Sequence, residues 1–118
     1  MATRQERGRQ GEDLAAEYLK GLGYRILERN WRWSRAEADI IAMEGEVLVF
    51  VEVKTRSSDH FGQPEEFVSP RKEDLLHDLA SRYMEHIGHD WEIRFDIVSI
   101  LFRDPYGHEI RHIRDAWF

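Results

Sequence analysis

Three charged residues in this chain sit where extended backbone would gather them: Asp39 within residues 38–42 (ADIIA), and Glu52 and Lys54 near the end of residues 47–56 (VLVFVEVKTR). The uninterrupted apolar run of the second segment predicts a strand covered on both faces. Side chains alternate across a strand, so Leu48, Phe50, Glu52 and Lys54 share one face, and Val47, Val49, Val51 and Val53 share the other. Met43-Glu44-Gly45-Glu46 separates the two segments as a tight hairpin turn would. With Glu44 and Gly45 as a two-residue loop, Met43 faces Glu46 and Asp39 falls opposite Phe50, with Glu52 as its diagonal neighbour on one face. Two carboxylates on adjacent strands meet the oxygen preference of Mg²⁺ or Mn²⁺, with the Val53 carbonyl as a further oxygen. An ammonium at Lys54 complements a phosphate brought to such an ion.

Several other elements must place these residues. Apolar spacing at Leu14, Ala15, Tyr18, Leu19 and Leu22 predicts a first helix over residues 8–20. Glu12 leans toward its packed side, which makes it either a fourth charged member of the site or a first-turn glutamate stabilised by the helix dipole. Residues 24–33 read as a half-exposed strand in which Arg25, Arg29 and Arg32 interleave with Tyr24, Ile26, Trp31 and Trp33. That pattern suits phosphate contact and base stacking, and it equally suits an ordinary sheet edge. Residues 55–67 form a loop of about a dozen residues without periodicity, a length often tied to function. Arg56, at its start, is a further candidate for phosphate contact.

Ser69 and Pro70 open a second helix with an apolar stripe from Leu75 to Ile87, ended by Gly88. Lys72 in its first turn is either a phosphate contact or a solvated lysine. Residues 91–102 and 108–113 are two more strands joined by a turn at 104–107, with Arg94 and Asp96 two apart on one face as a structural ion pair. The predicted order is αβββαββ, one α/β domain over residues 1–118 with a mixed sheet flanked by helices.

The segments that carry these features are Gly11-Glu12, Gly23-Tyr24-Arg25-Ile26-Leu27, Glu37-Ala38-Asp39-Ile40-Ile41, Phe50-Val51-Glu52-Val53-Lys54 and Arg94-Phe95-Asp96. Asp39 with Glu52-Val53-Lys54 resembles the PD-(D/E)XK nuclease motif, and the five segments together resemble the YraN-type bacterial family. The pattern departs from that family at Ala36 and Ala38, where Gly and Ile are usual. The resemblance implies a restriction-endonuclease-like fold and metal-dependent cleavage of DNA. It implies Asp39, Glu52 and Lys54 as catalytic residues, Asp39, Glu52, Val53 and Glu12 as holders of Mg²⁺ or Mn²⁺, and Glu37 in support at the edge. Two other readings accompany it. One is a non-catalytic nucleic-acid-binding or protein-interaction module on a nuclease scaffold, and the other is a homodimeric Holliday-junction-resolvase-like enzyme making paired cuts.

Composition bounds these readings. A chain of 118 residues, 42% hydrophobic, fits one small core. The net charge of −6 counts against a general nucleic-acid binder, although residues 1–35 hold eight Lys or Arg against five acids. With no cysteine, disulfides and thiolate metal sites are excluded. The six histidines are scattered or mispaired, as surface residues are, and give no zinc pattern. No apolar run could span a membrane, and the basic N-terminus lacks the apolar stretch of a signal peptide, so a cytoplasmic location is expected.

Overall fold

The computed structural model describes residues 3–57 and 68–116. Helix α1 spans Arg4–Gly21, a turn earlier than its apolar spacing predicts. The reason is a capping box: Thr3 Oγ1 accepts the Glu6 amide at 3.1 Å, and Glu6 Oε1 accepts the Thr3 amide at 2.9 Å. Strands β1 (Arg25–Trp33), β2 (Ala36–Glu44) and β3 (Val47–Ser57) follow as a meander. Helix α2 (Pro70–Ile87) then leads to β4 (Ile93–Phe102) and β5 (His108–Ile113). This is the expected αβββαββ order. The segment predicted as a long loop divides: residues 55–57 extend β3, and residues 58–67 lie outside the described residues.

The five strands form one mixed sheet in the order β1-β2-β3-β4-β5, antiparallel throughout except for the parallel β3–β4 pair. Each helix covers one face. Ala15, Ala16 and Leu19 of α1 pack on Ile40, Val49 and Val51. On the other face, Leu76, Leu79 and Tyr83 of α2 pack on Ile41, Phe50 and Phe95. The alternation of β3 is therefore as read, with its odd-numbered valines under α1 and Leu48 and Phe50 under α2. Ala36 and Ala38 belong to the α2-side core at 6% and 2% exposure, so these small side chains are packed against.

The β2–β3 hairpin corrects the predicted register. Glu44 pairs with Val47 and Met43 with Leu48, so the two loop residues are Gly45 and Glu46. Gly45, with φ of +58°, takes the first central position, which a type II′ turn reserves for glycine. This pairing sets Met43 beside an apolar partner rather than a charged one. The shift is two residues, so the side chains paired in this ladder keep their faces. The ladder ends at Ile40 opposite Val51, and beyond it the alternation of β2 breaks, with Ala36 and Ala38 joining Ile41 in the α2-side core.

Candidate functional site

Where β2 and β3 reach their shared end, the Asp39 side chain replaces a strand partner: its Oδ2 accepts the Val53 amide at 2.8 Å. Asp39 and Glu52 line one cleft of about 340 Å³, together with Arg35, Glu37, Arg71 and Lys72. Burial pushes the Asp39 carboxyl up to about 7, and the charge of Glu52 adds to the rise. The Val53 amide opposes it, and Glu12 contributes a smaller upward push.

Glu52 is only 7% exposed, and two ammonium groups attend it. Lys72 Nζ contacts its Oε2 directly, and Lys54 Nζ stands 3.8 Å from the same atom. Lys54 is itself mostly buried; burial depresses its pKa, against the opposing pull of Glu52. Lys72 was a candidate phosphate contact from its place in the first turn of α2. The structure puts it on Glu52 instead, because the Ser69 cap starts α2 above the same sheet face that carries Glu52.

Glu12 approaches from the other face. Its Oε1 accepts Asn30 Nδ2 at 3.1 Å, and Arg29 lies 3.9 Å away. It lines a separate cleft of about 730 Å³ with Arg4, Arg7, Val53 and Arg56. Asp39 thus lies between Glu52 on the α2 side and the field of Glu12 on the α1 side. Helix α1 can come this close because residue 11 is glycine: a Cβ there would stand 2.2 Å from Thr55 Oγ1.

Among the described residues, no three His, Asp or Glu side chains are grouped tightly enough to hold a metal ion by themselves. The donor set still fits a hard cation of the Mg²⁺ type, which keeps several waters and takes one or two carboxylates. Asp39 and Glu52 line one cleft, where the charge of Glu52 raises the cost of ionising Asp39, and a divalent ion relieves such crowding.

The arginines of β1 do not gather into one surface. Arg25 pairs with Met43 at the β2–β3 turn end of the strand, whereas Arg32 pairs with Glu37 at the site end, roughly 20 Å away at the rise of a strand. Arg29 is held by Asp13 at 2.9 Å and Arg32 by Glu37 at 3.0 Å. Arg56 donates to the Thr55 carbonyl at 2.9 Å. Glu37 does stand at the edge of the Asp39 cleft. Two cations of that cleft, Arg35 and Arg71, escaped the sequence reading. One lies in the β1–β2 turn and the other opens α2, and only the tertiary fold brings those two ends together.

A second polar cluster is structural. Asp96, fully buried, accepts Arg94 Nε at 2.8 Å, Arg94 Nη2 at 3.0 Å, His112 Nε2 at 2.7 Å and the Asp115 amide at 3.1 Å. Burial pushes its pKa up, but the hydrogen bonds from His112 and Arg94 outweigh this and hold it below the usual carboxylate value. The Arg94–Asp96 ion pair is as expected. The histidine reading is corrected: the His112 side chain is only 6% exposed, and His89 is buried.

The fold and the cluster at the end of β2 and β3 define a small α/β protein of restriction-endonuclease-like architecture. The chain belongs to the uncharacterised protein family UPF0102, the YraN-type family, whose model matches residues 11–100. It is 46% identical over 118 residues to a UPF0102 protein of Christiangramia forsetii, covering 100% of this chain and 98% of the relative. A UPF0102 protein of Flavobacterium psychrophilum is 45% identical over 118 residues, with 100% and 98% covered. One from Rhodococcus jostii is 43% identical over 118 residues, with 99% and 100% covered. Among the described residues, no helix is long and apolar enough to cross a membrane.

Proposed function

We propose that this protein is a metal-dependent endonuclease that cleaves phosphodiester bonds in DNA, with Asp39, Glu52 and Lys54 as its catalytic residues. The observation that carries this reading is the shared cleft of Asp39 and Glu52, with Lys54 Nζ 3.8 Å from Glu52. Asp39 and Glu52, with the Val53 carbonyl, are the residues that would hold Mg²⁺ or Mn²⁺. Such an ion, when bound, neutralises phosphate charge and makes water more acidic. Asp39 supplies one anionic ligand and is fixed in place by the Val53 amide. Glu52 supplies the second once Lys72 leaves it. Lys54, poorly solvated and anchored by Glu52, offers its ammonium to the charge that grows on the phosphate oxygens. Glu12 orients water from the α1 side, and Glu37 braces Arg32 at the edge.

A second reading is a nucleic-acid-binding module that keeps the scaffold without cutting. The two ammonium groups that neutralise Glu52 favour it. Incubation of duplex, single-stranded and branched DNA, and of RNA, with Mg²⁺ or Mn²⁺ against EDTA separates the two. An active enzyme cuts DNA only with the ion. Glu52→Gln then loses ion affinity and cutting together, while Lys54→Ala keeps ion affinity and loses mainly kcat. Absence of cutting on every substrate with either ion overturns the nuclease reading.

A further inference from the structure

The cleft that holds Asp39 and Glu52 runs into a second one, because Ala36 and Leu75 line both. This neighbour, of about 410 Å³, is walled by Trp33, with Arg82 reaching across. The Arg82 guanidinium carbon lies 4.6 Å from the centre of the indole ring. The two tryptophans of β1 have divided their roles. Trp31 packs edge-on against Tyr83 with ring centres 4.9 Å apart, inside the α2-side core. Trp33 belongs to neither core and stays 40% exposed.

An exposed indole with a guanidinium stacked over its ring is a surface on which a nucleobase stacks, since every base has a π-face and the cation adds to the attraction. Trp33 stands at the tip of the β1–β2 hairpin, directly before Ser34 and Arg35. Arg35 and Arg71, both exposed, line the adjoining cleft over the two carboxylates. Cations over the acids and an aromatic one step away match the alternation of phosphate and base along one strand.

We propose that Trp33 and Arg82 form a stacking shelf for an unpaired nucleobase of a DNA strand whose neighbouring phosphate lies over Asp39 and Glu52, between Arg35 and Arg71. The inference rests on the nucleic-acid reading of that site and narrows its substrate. A base within an intact duplex has both faces covered by its neighbours, so only a single-stranded, frayed or branched region presents one to Trp33. The protein therefore prefers DNA with unpaired bases beside the phosphate it engages.

The test uses the full chain and three fluorescein-labelled probes: a single-stranded oligonucleotide, the same strand with abasic sites at its centre, and a blunt duplex. Anisotropy is recorded in EDTA, so that no cutting is needed. The parent should bind the base-bearing single strand more tightly than the other two. Trp33→Ala should weaken that binding roughly tenfold, the loss of about one base stack, and leave the abasic strand unaffected. Trp33→Phe, which keeps an aromatic face, should retain most of the affinity, and melting curves confirm that both variants fold. The shelf is overturned if Trp33→Ala weakens both strands equally or neither, or if the parent binds no probe or does not distinguish them. A parent that stacks bases but never cuts with Mn²⁺ refutes the nuclease and keeps the shelf. One that cuts intact duplex while Trp33→Ala is silent does the reverse.

Discussion

Asp39 Oδ2 accepts the Val53 amide and the carboxylate faces the charge of Glu52, whereas Glu52 is attended by two ammonium groups, so amide substitutions at the two sites should act in opposite directions. The Asp39 pKa rises from 3.8 to about 7, so between these values the folded protein holds a proton that the unfolded chain has released. Stability from this group is full below about pH 4 and is lost as pH rises through 7. At roughly 1.4 kcal/mol per tenfold, the effect has a ceiling of about 4 kcal/mol. Asp39→Asn, whose amide oxygen still accepts the Val53 N–H, should be more stable than the parent at pH 8 without metal by about 1–3 kcal/mol, with little difference at pH 4. Urea melts at both pH values check this, and equal midpoints at pH 8 would contradict it. Glu52→Gln should instead lose about 1–2 kcal/mol, because Lys54 and Lys72 lose their counter-charge in a nearly buried place. The alternation of β3 made the shared face of Glu52 and Lys54 legible. The inequality of the two acids was not, since Lys72 arrives from 20 positions away through the tertiary fold.

At the scale of elements, the period-2 runs and the apolar stripe of α2 made all seven elements readable, but not the details that polar contacts decide. The Thr3–Glu6 capping box was present as a spacing, yet apolar periodicity alone starts α1 at residue 8. The hairpin slipped by two because Glu44-Gly45 and Gly45-Glu46 are both plausible loops, and only pairing across the whole ladder discriminates between them. Nor could any pattern announce that Gly11 must meet Thr55. Gly11→Ala would drive its methyl into Thr55, whose Oγ1 and carbons lie 2.2 and 3.3 Å from that point, so α1 must shift or the protein loses about 2–3 kcal/mol. Combining it with Thr55→Ala should recover much of that loss, a coupling measurable by a double-mutant cycle. A cycle that sums without coupling would show that the close approach is not what positions α1.

For the molecule as a whole, the net charge of −6 does not show how charge is placed: the Asp39 cleft gathers Arg35, Arg71 and Lys72 against Glu37, Asp39 and Glu52. Arg29 and Arg32 are already matched by Asp13 and Glu37, so neutralising them should barely change how DNA affinity falls with salt. Replacing Arg35 and Arg71 with Gln should flatten that dependence by up to about two phosphate equivalents. Titrations from low to moderate salt decide it, and the opposite ranking would return the phosphate contacts to β1. The Asp96 cluster works at the same scale, joining α1, β4, β5 and the last turn through Tyr18, Arg94, His112 and Asp115. Asp96→Ala should cost about 3–5 kcal/mol, a large part of the stability of a domain this size, visible as a sharp fall in Tm.

The lone parallel pairing of the sheet has a bearing on the order of folding events. β1, β2 and β3 zip together through two-residue turns, whereas β4 can join β3 only after the chain has crossed over by way of α2, with Leu48 meeting Ile93 across 45 positions. Closing so long a loop is entropically late, so the meander should be formed in the rate-limiting ensemble before the β4–β5 half docks. Conservative core truncations would then separate kinetically: Val49→Ala should slow refolding, and Ile100→Ala should mainly hasten unfolding. On the ribosome, the meander emerges with its α2-facing side bare, exposing Phe50 and Ile41 until the second half of the chain arrives.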